Sequence, residues 1–260
     1  MRSIAEPHLL RVLLTATALL ALGGKCAFAE ACGRGYVQQH GLDLAKIVAK
    51  DGPVSNMWGR DNMRIVAGTL LRIEYPRGSF NPGADGAPVG GGGFKFAFGH
   101  GVTDACLTYS VRFPADFDFV KGGKLPGLYG GDAPRGCATA ETAKGFSARL
   151  MWRAGGAGEL YLYHPAQKTV CGESIGRGSW TFPRGQWVSV AEQVVMNRPG
   201  QADGTIRIWI DGRLKIEAGN LALDSAVDGL LFSTFFGGSD PSWASPKDQT
   251  AEFKDFSLGF

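Results

Sequence analysis

Two hydrophobic runs separated by a glycine-rich segment carry side chains suited to acid–base chemistry. Residues 145–153 read GFSARLMWR, and residues 159–163 read ELYLY. Alternate side chains of an extended strand point to the same side, so Ser147, Arg149 and Arg153 share one face of the first run. The short glycine-rich connection predicts that the two runs form a β-hairpin.

The second run adds two phenols to the same patch of the predicted sheet. If the turn holds the five residues between the runs, Arg153 faces Glu159 and Arg149 lies directly opposite Tyr163, with Tyr161 on the diagonal. Directly opposed side chains have Cβ atoms about 4.5–5.5 Å apart. A bulge in the turn would shift this register, and an ordinary hairpin with outward polar residues is the alternative interpretation.

A glycine-rich segment upstream contributes an amine. Residues 121–131 read KGGKLPGLYGG, which predicts a loop that presents Lys124; the alternative is a turn with a solvated lysine. His164 follows Tyr163 directly and is a weaker candidate for proton transfer or substrate contact.

Together these motifs resemble those of polysaccharide lyase family 14, whose members act on alginate and glucuronan. The resemblance covers roughly residues 70–260 and does not include the N-terminal arm or the cysteines. The matching motifs are GGKLPGL at 122–128, SAR at 147–149, YLY at 161–163, and FFGGS at 235–239 followed by Trp243.

The resemblance implies a β-jelly roll and a polyuronate lyase that works by β-elimination without a cofactor. The family's lysine, Ser-x-Arg pair and Tyr-x-Tyr pair are implicated in substrate binding and catalysis. They fall by motif on Lys124, Ser147, Arg149, Tyr161 and Tyr163.

The chemistry of β-elimination requires such residues. The C5 proton of a uronate is poorly acidic until its carboxylate is neutralised, so a cation must face the carboxylate where charge accumulates. The bidentate fork of Arg149 suits that role, with Lys124 assisting. A base must reach C5 and an acid must reach O4; we favour Tyr161 or Tyr163, and Lys124 is the rival base if its pKa is lowered. The expected substrate-binding residues are Ser147, Arg153, His164 and Ser239.

Other functions fit the sequence less well. A non-catalytic polyuronate-binding module could use the same cleft. A glycoside hydrolase requires two opposed carboxyl groups; Asp116 and Asp118 have a suitable spacing but follow Pro114 beyond the end of a predicted strand. The cysteines and histidines are scattered rather than set at ligand spacing, so no metal site is predicted.

The pattern along the chain predicts an all-β protein, an antiparallel jelly roll of two packed sheets with a cleft on a concave face. Runs of β-branched and aromatic residues alternate with Gly, Pro and Asp clusters. Asp211-Gly212 predicts a tight hairpin turn. The predicted strands are 70–75, 94–98, 107–113, 146–152, 160–163, 187–195, 206–210, 214–217, 230–236 and 253–258.

The N-terminus resembles a signal peptide, with basic residues, an apolar stretch at 12–22 and small residues ending at Ala29. We therefore divide the chain into a signal peptide at 1–29, an N-terminal arm at 30–66 and a jelly-roll lyase domain at 67–260. Export to the outside or the periplasm follows, with no membrane association after cleavage.

The charge and the cysteines agree with a secreted enzyme that acts on an acidic polysaccharide. Removal of the leader lowers the net charge from +3 to +1, because three basic residues and one acidic residue are lost. Near-neutrality argues against a nucleic-acid partner, and we expect a monomer. Cys32, Cys106, Cys137 and Cys171 predict two disulfides; we favour Cys32 with Cys106 and Cys137 with Cys171, although the sequence allows other pairings.

Overall fold

The structure, a computed structural model, describes most of the chain beyond its N-terminus. The described residues are 32, 36, 39–137, 142 and 144–260. The predicted signal peptide at 1–29 lies outside them. Within the described part, no helix is long and apolar enough to span a membrane.

Strands dominate the described residues. The strands are β1 Gln39–Gly41, β2 Ser55–Trp58, β3 Met63–Val66, β4 Leu70–Tyr75, β5 Gly92–Val102, β6 Asp104–Arg112, β7 Gly122–Gly131, β8 Gly145–Arg153, β9 Gly158–Tyr163, β10 Glu173–Ile175, β11 Trp187–Val195, β12 Gly204–Ile210, β13 Arg213–Leu221, β14 Val227–Phe236 and β15 Gln249–Gly259. A short helix, α1, spans Leu44–Val48, and 3₁₀ turns span Arg60–Asn62, Ala154–Gly156 and Pro241–Trp243. Every run predicted as a strand overlaps one of these strands.

The strands form two antiparallel sheets packed face to face, which confirms the predicted jelly-roll sandwich. One sheet has the order β13-β12-β11-β6-β15-β4-β3, with β1 also paired to β15. The other has the order β10-β9-β8-β7-β14-β5-β2. Strand β3 therefore forms an edge of the first sheet, and strand β2 forms an edge of the second.

Side-chain alternation separates the core from the opposite face of the seven-stranded sheet. Ala148, Leu150 and Trp152 of β8 belong to the main hydrophobic core. Met151 of the same strand instead clusters with Tyr161 and Tyr163 of β9, apart from that core. The predicted division of these strands into two faces is confirmed.

Aromatic rings anchor the core directly behind that second cluster. The Trp152 ring lies edge-on to the rings of Tyr75, Phe113, Phe117 and Phe236, with centroids 5.4–6.1 Å apart. Edge-to-face pairs contribute beyond their buried area, so β8 is fixed firmly in position.

The loop predicted around Lys124 is wrong, because Gly122–Gly131 forms the central strand β7 between β8 and β14. The glycines of β7 do not form a turn; they let this strand lie very close to β8. A Cβ at Gly127 would lie 1.8 Å from the Ala148 carbonyl oxygen, and one at Gly123 would lie 2.0 Å from the Trp152 ring. Pro126 lies where the β7–β8 register shifts between Lys124 and Gly127. Proline is tolerated inside a sheet at such a bulge.

The predicted hairpin turn and both disulfides are confirmed. Asp211 and Gly212 have φ values of 49° and 73°, as a type I′ turn requires. Cys32 is bonded to Cys106, and Cys137 is bonded to Cys171.

A buried carboxyl group connects the two sheets. Glu192 of β11 is fully buried, and its Oε1 accepts a hydrogen bond of 3.1 Å from the Leu128 amide of β7. Burial raises the pKa of this carboxyl well above its ordinary value, although the Leu128 hydrogen bond opposes the shift. The acid therefore remains protonated in the folded protein where it would ionise in the unfolded chain.

We predict that Glu192→Gln stabilises the protein increasingly as the pH rises. Because the pKa is raised on folding, the stability contributed by this group is complete below the unfolded pKa and is lost as the pH rises toward the folded one, by up to about 1.4 kcal/mol per pH unit. Gln keeps the acceptor for Leu128 and does not titrate. Urea denaturation of both proteins at mildly acidic and mildly alkaline pH measures the difference, and a pH-independent difference would contradict the prediction.

Candidate active site

A cleft of about 710 Å³ lies on the face of the seven-stranded sheet that points away from the core. Strands β7, β8 and β9 supply its floor, and the segment after β14 supplies one end. The sequence-predicted residues that line it are Lys124, Arg149, Arg153, Tyr161, Tyr163 and Ser239.

The β8–β9 hairpin has a register two residues away from the predicted one. Arg149 lies opposite Tyr161 rather than Tyr163, and Ser147 lies opposite Tyr163. The turn is tighter than predicted, because the Arg153 amide donates a 2.7 Å hydrogen bond to the Ala157 carbonyl across the 3₁₀ turn. A shift of two residues leaves each side chain on its original face, so the guanidinium and the phenols still converge.

Arg149 is a buried cation without an anionic partner in the described part of the chain. Its side chain is 2% exposed, and its Nε has no hydrogen-bond partner. The guanidinium carbon lies 5.9 Å from the centroid of the Tyr163 ring. Burial lowers the pKa of Arg149, but an arginine remains charged at neutral pH. The site thus presents a positive charge that is ready for an incoming anion.

Lys124 adds a buried amine next to the Arg149 guanidinium. Its Nζ lies 4.2 Å from the centroid of the Tyr161 ring and donates to Met151 Sδ at 3.0 Å. Burial and repulsion from Arg149 and Arg153 hold the pKa of Lys124 well below its ordinary value, while Glu159 acts in the opposite direction. Lys124 therefore gives up its proton more readily than an exposed lysine does.

The two phenols differ in their surroundings. Their rings meet edge to face with centroids 5.5 Å apart. The Tyr163 hydroxyl oxygen accepts a 3.0 Å hydrogen bond from the Cys137 backbone amide. Burial, followed by the neighbouring Tyr163, raises the pKa of Tyr161, and Arg153 and Arg149 oppose the shift. Tyr161 thus holds its proton more firmly than a free phenol.

Arg153 lines the cleft as a compensated cation. Its Nε donates to Glu159 Oε1 at 2.8 Å, and Arg177 Nε donates to Glu159 Oε2 at 2.6 Å. The second oxygen also accepts from Ser174 Oγ at 2.5 Å. This buried carboxylate fixes Arg153 at the side of the cleft, in contrast to the unpaired Arg149.

Ser147 and His164 are not brought to the cleft surface. Ser147 is fully buried, and its Oγ donates a 2.7 Å hydrogen bond to the Pro134 carbonyl. His164 is also buried and pairs through Nε2 with Glu173 at 3.0 Å. Both side chains therefore contact the protein rather than the cleft.

Sequence reasoning missed several residues of the cleft wall. Arg135, Cys137 and Cys171 line it from the segments that follow β7 and β9, and Lys95 lines it from β5. The cysteines were the available signal, because a disulfide between two loops brings their neighbours together.

The comparisons with known proteins agree with this geometry. The family model described as Polysaccharide lyase 14 matches residues 65–256. The chain belongs to polysaccharide lyase family 14. The resemblance inferred from its motifs is confirmed, and the protein is a polysaccharide lyase.

Solved structures place this family 14 lyase among related folds. It is 31% identical to the marine alginate lyase from Aplysia kurodai, with a TM-score of 0.71 over 86% of this chain and 98% of the other. An alginate lyase from Chlorella virus has 24% identity and a TM-score of 0.70 over 86% and 99% of the two chains. An endo-β-1,4-glucuronan lyase from the fungus Trichoderma reesei has 14% identity and a TM-score of 0.51 over 87% and 91%; these last two show the fold alone. Comparison with curated proteins finds no match.

We predict that Lys124 of this family 14 lyase titrates well below the ordinary lysine value of about 10.4. The physical reason is its burial beside Arg149 and Arg153. Nuclear magnetic resonance of protein labelled at lysine Cε, titrated with pH, measures this directly, and the Lys124→Met variant identifies the resonance. If the resonance that Lys124→Met removes titrates at the ordinary value, the prediction is contradicted.

Proposed function

We propose that this family 14 lyase is an exported monomeric enzyme that depolymerises a polyuronate by β-elimination and needs no cofactor. The observation that carries the proposal is Arg149, buried without an ion-pair partner among the described residues, beside Lys124 and the two phenols. Two disulfides are compatible with an extracellular or periplasmic location. One chain supplies all of these residues, which supports action as a monomer.

Arg149 and Lys124 would neutralise the uronate carboxylate at the cleavage point. Neutralisation lets electron density from the C5–H bond move toward the carboxyl group, so the C5 proton becomes more acidic. Preorganised donors in a water-poor site stabilise such charge more strongly than water does. Arg153 is already engaged by Glu159 and would contact an adjoining sugar, as would Ser239, which also lines the cleft.

Tyr163 is the proposed base and acid. As a phenolate it would take the proton from C5; the C4–C5 double bond would then form, the C4–O4 bond would break, and Tyr163 would return the proton to O4. The Cys137 amide donates a hydrogen bond to its oxygen, and such a positioned donor stabilises charge as it develops in the transition state, whereas burial makes Tyr161 hold its proton more firmly than a free phenol. Activity should therefore increase from acidic toward alkaline pH.

Alginate, and mannuronate-rich alginate in particular, is the proposed substrate. The Aplysia kurodai alginate lyase is 31% identical, whereas the likeness to the glucuronan lyase is confined to the fold. In mannuronate the C5 hydrogen and O4 lie on the same side of the ring, whereas in guluronate they lie on opposite sides. A single phenol that serves as both base and acid suits the first arrangement.

Hydrolysis finds little support in the positions of the two aspartates. Asp116 is exposed and forms an ion pair with Lys247. Neither Asp116 nor Asp118 is among the residues that line the cleft. Elimination and hydrolysis give different products, so one assay separates them.

We predict that the purified protein releases products with the ultraviolet absorbance of a conjugated 4,5-double bond, fastest from mannuronate-rich alginate. Tyr163→Phe should lower kcat by about 10²–10⁴-fold, because the proton carrier is lost, while polymer binding is retained. Tyr36→Phe is the matched control. The Tyr36 hydroxyl also forms a hydrogen bond, which it donates to Asp104 at 2.7 Å, but Asp104 belongs to β6 in the other sheet.

The assay has clear contrary outcomes. New reducing ends without absorbance would mean hydrolysis, and polymer binding without any new ends would mean a binding module. Full activity in Tyr163→Phe would remove Tyr163 from the mechanism and leave Lys124 as the base.

A further inference from the structure

One of the two disulfides lies in the wall of the cleft. Cys137 and Cys171 are both among the lining residues. They belong to different segments, one following β7 and the other between β9 and β10. The bond therefore joins two loops across the side of the cleft on which Tyr163 lies.

Residues on both sides of the bond contact the phenols. The Cys137 amide donates to the Tyr163 hydroxyl oxygen at 3.0 Å. Gly172, next to Cys171, packs so tightly that a Cβ there would lie 2.7 Å from the Tyr163 ring and 3.0 Å from the Tyr161 ring. The cross-linked loops thus hold Tyr163 at its hydroxyl and along its edge.

The backbone at Cys137 is held in an unfavourable conformation. Its φ is 60°, in the left-handed region that non-glycine residues rarely adopt. The segment that contains Cys137 is also held by a hydrogen bond from β8, because Ser147 Oγ donates to the Pro134 carbonyl oxygen at 2.7 Å. A covalent bond at Cys137 can maintain this conformation and keep its amide directed at Tyr163.

We propose that the Cys137–Cys171 disulfide is a positioning element of the active site, which holds the Cys137 amide against the Tyr163 oxygen. The expected effect on turnover rests on the proposed function, whereas the positioning of Tyr163 by the disulfide does not. Without the bond, Cys137 leaves the left-handed conformation, the amide donor is lost, and negative charge on the Tyr163 oxygen is less stabilised. Substrate contacts at Arg149 and Lys124, on the sheet floor, remain.

The second disulfide provides an internal control. Cys32–Cys106 packs with Ala191, Tyr36 and Trp209 on the other sheet. It closes a span of 74 residues, whereas Cys137–Cys171 closes one of 34. Since a longer loop gives the larger entropic stabilisation, the two bonds should rank in opposite order for stability and for turnover.

The test compares Cys137→Ala/Cys171→Ala with Cys32→Ala/Cys106→Ala. We expect the first pair to lower kcat at least tenfold and change KM less than threefold. The second pair should lower Tm more and leave kcat within about twofold of the wild type. Equal kcat values for wild type and the first pair, or equal losses in both pairs, would overturn the proposal.

A second readout does not depend on turnover. In protein labelled at tyrosine Cζ, with the Tyr163 resonance assigned through Tyr163→Phe, that resonance should move in the first variant pair and stay in place in the second. An unmoved resonance in the first pair would overturn the proposal even if the wild type proved inactive, whereas an inactive wild type alone would overturn only the proposed function. If the first pair does not fold, wild-type protein treated with a dithiol reductant under native conditions gives the same comparison.

Discussion

The site depends on a buried guanidinium and a buried amine, Arg149 and Lys124, for which the described residues provide no salt bridge. Burying a charge costs several kcal/mol unless a counter-charge compensates it. Glu159 provides such a counter-charge for two other arginines, because it forms ion pairs with both Arg153 and Arg177. Among the described residues, neither Arg149 nor Lys124 forms such an ion pair, and burial together with repulsion from Arg149 and Arg153 lowers the pKa of Lys124. The carboxylate that completes this site is the one a uronate would bring.

The sandwich supplies the stability that holds this arrangement in place. Trp152 and its aromatic neighbours fix β8 from the core side, so Arg149 cannot turn away from the cleft. The glycines of β7 let that strand pack tightly against β8 while its bulge places Lys124 beside Arg149. From the opposite sheet, Glu192 holds the Leu128 amide of β7. The loops joined by Cys137–Cys171 then enclose Tyr163 from the side.

Sequence periodicity predicted the strands and their faces, because a strand with one face in the core alternates its side chains strictly. The hairpin register was wrong by two residues, since the turn is closed by a backbone hydrogen bond at Ala157 that residue types do not reveal. Strand β7 was mistaken for a loop because glycine and proline usually mark turns, whereas here Gly127 permits close approach to Ala148. The motifs located Lys124, Arg149 and the tyrosines. They could not show that Ser147 and His164 turn toward the protein, because a side chain's partner depends on distant segments.

The most direct measurement of the central claim is the proton balance of substrate binding. A uronate oligosaccharide can be titrated into the Tyr163→Phe variant by calorimetry in buffers of different ionisation enthalpy. A carboxylate that enters beside Lys124 raises the proton affinity of that amine. We predict net proton uptake on binding at neutral to alkaline pH, and its loss when Lys124→Met is added. Binding without proton uptake, or uptake that persists without Lys124, would contradict the view that the carboxylate of a sugar acid enters beside Lys124 and supplies the missing counter-charge.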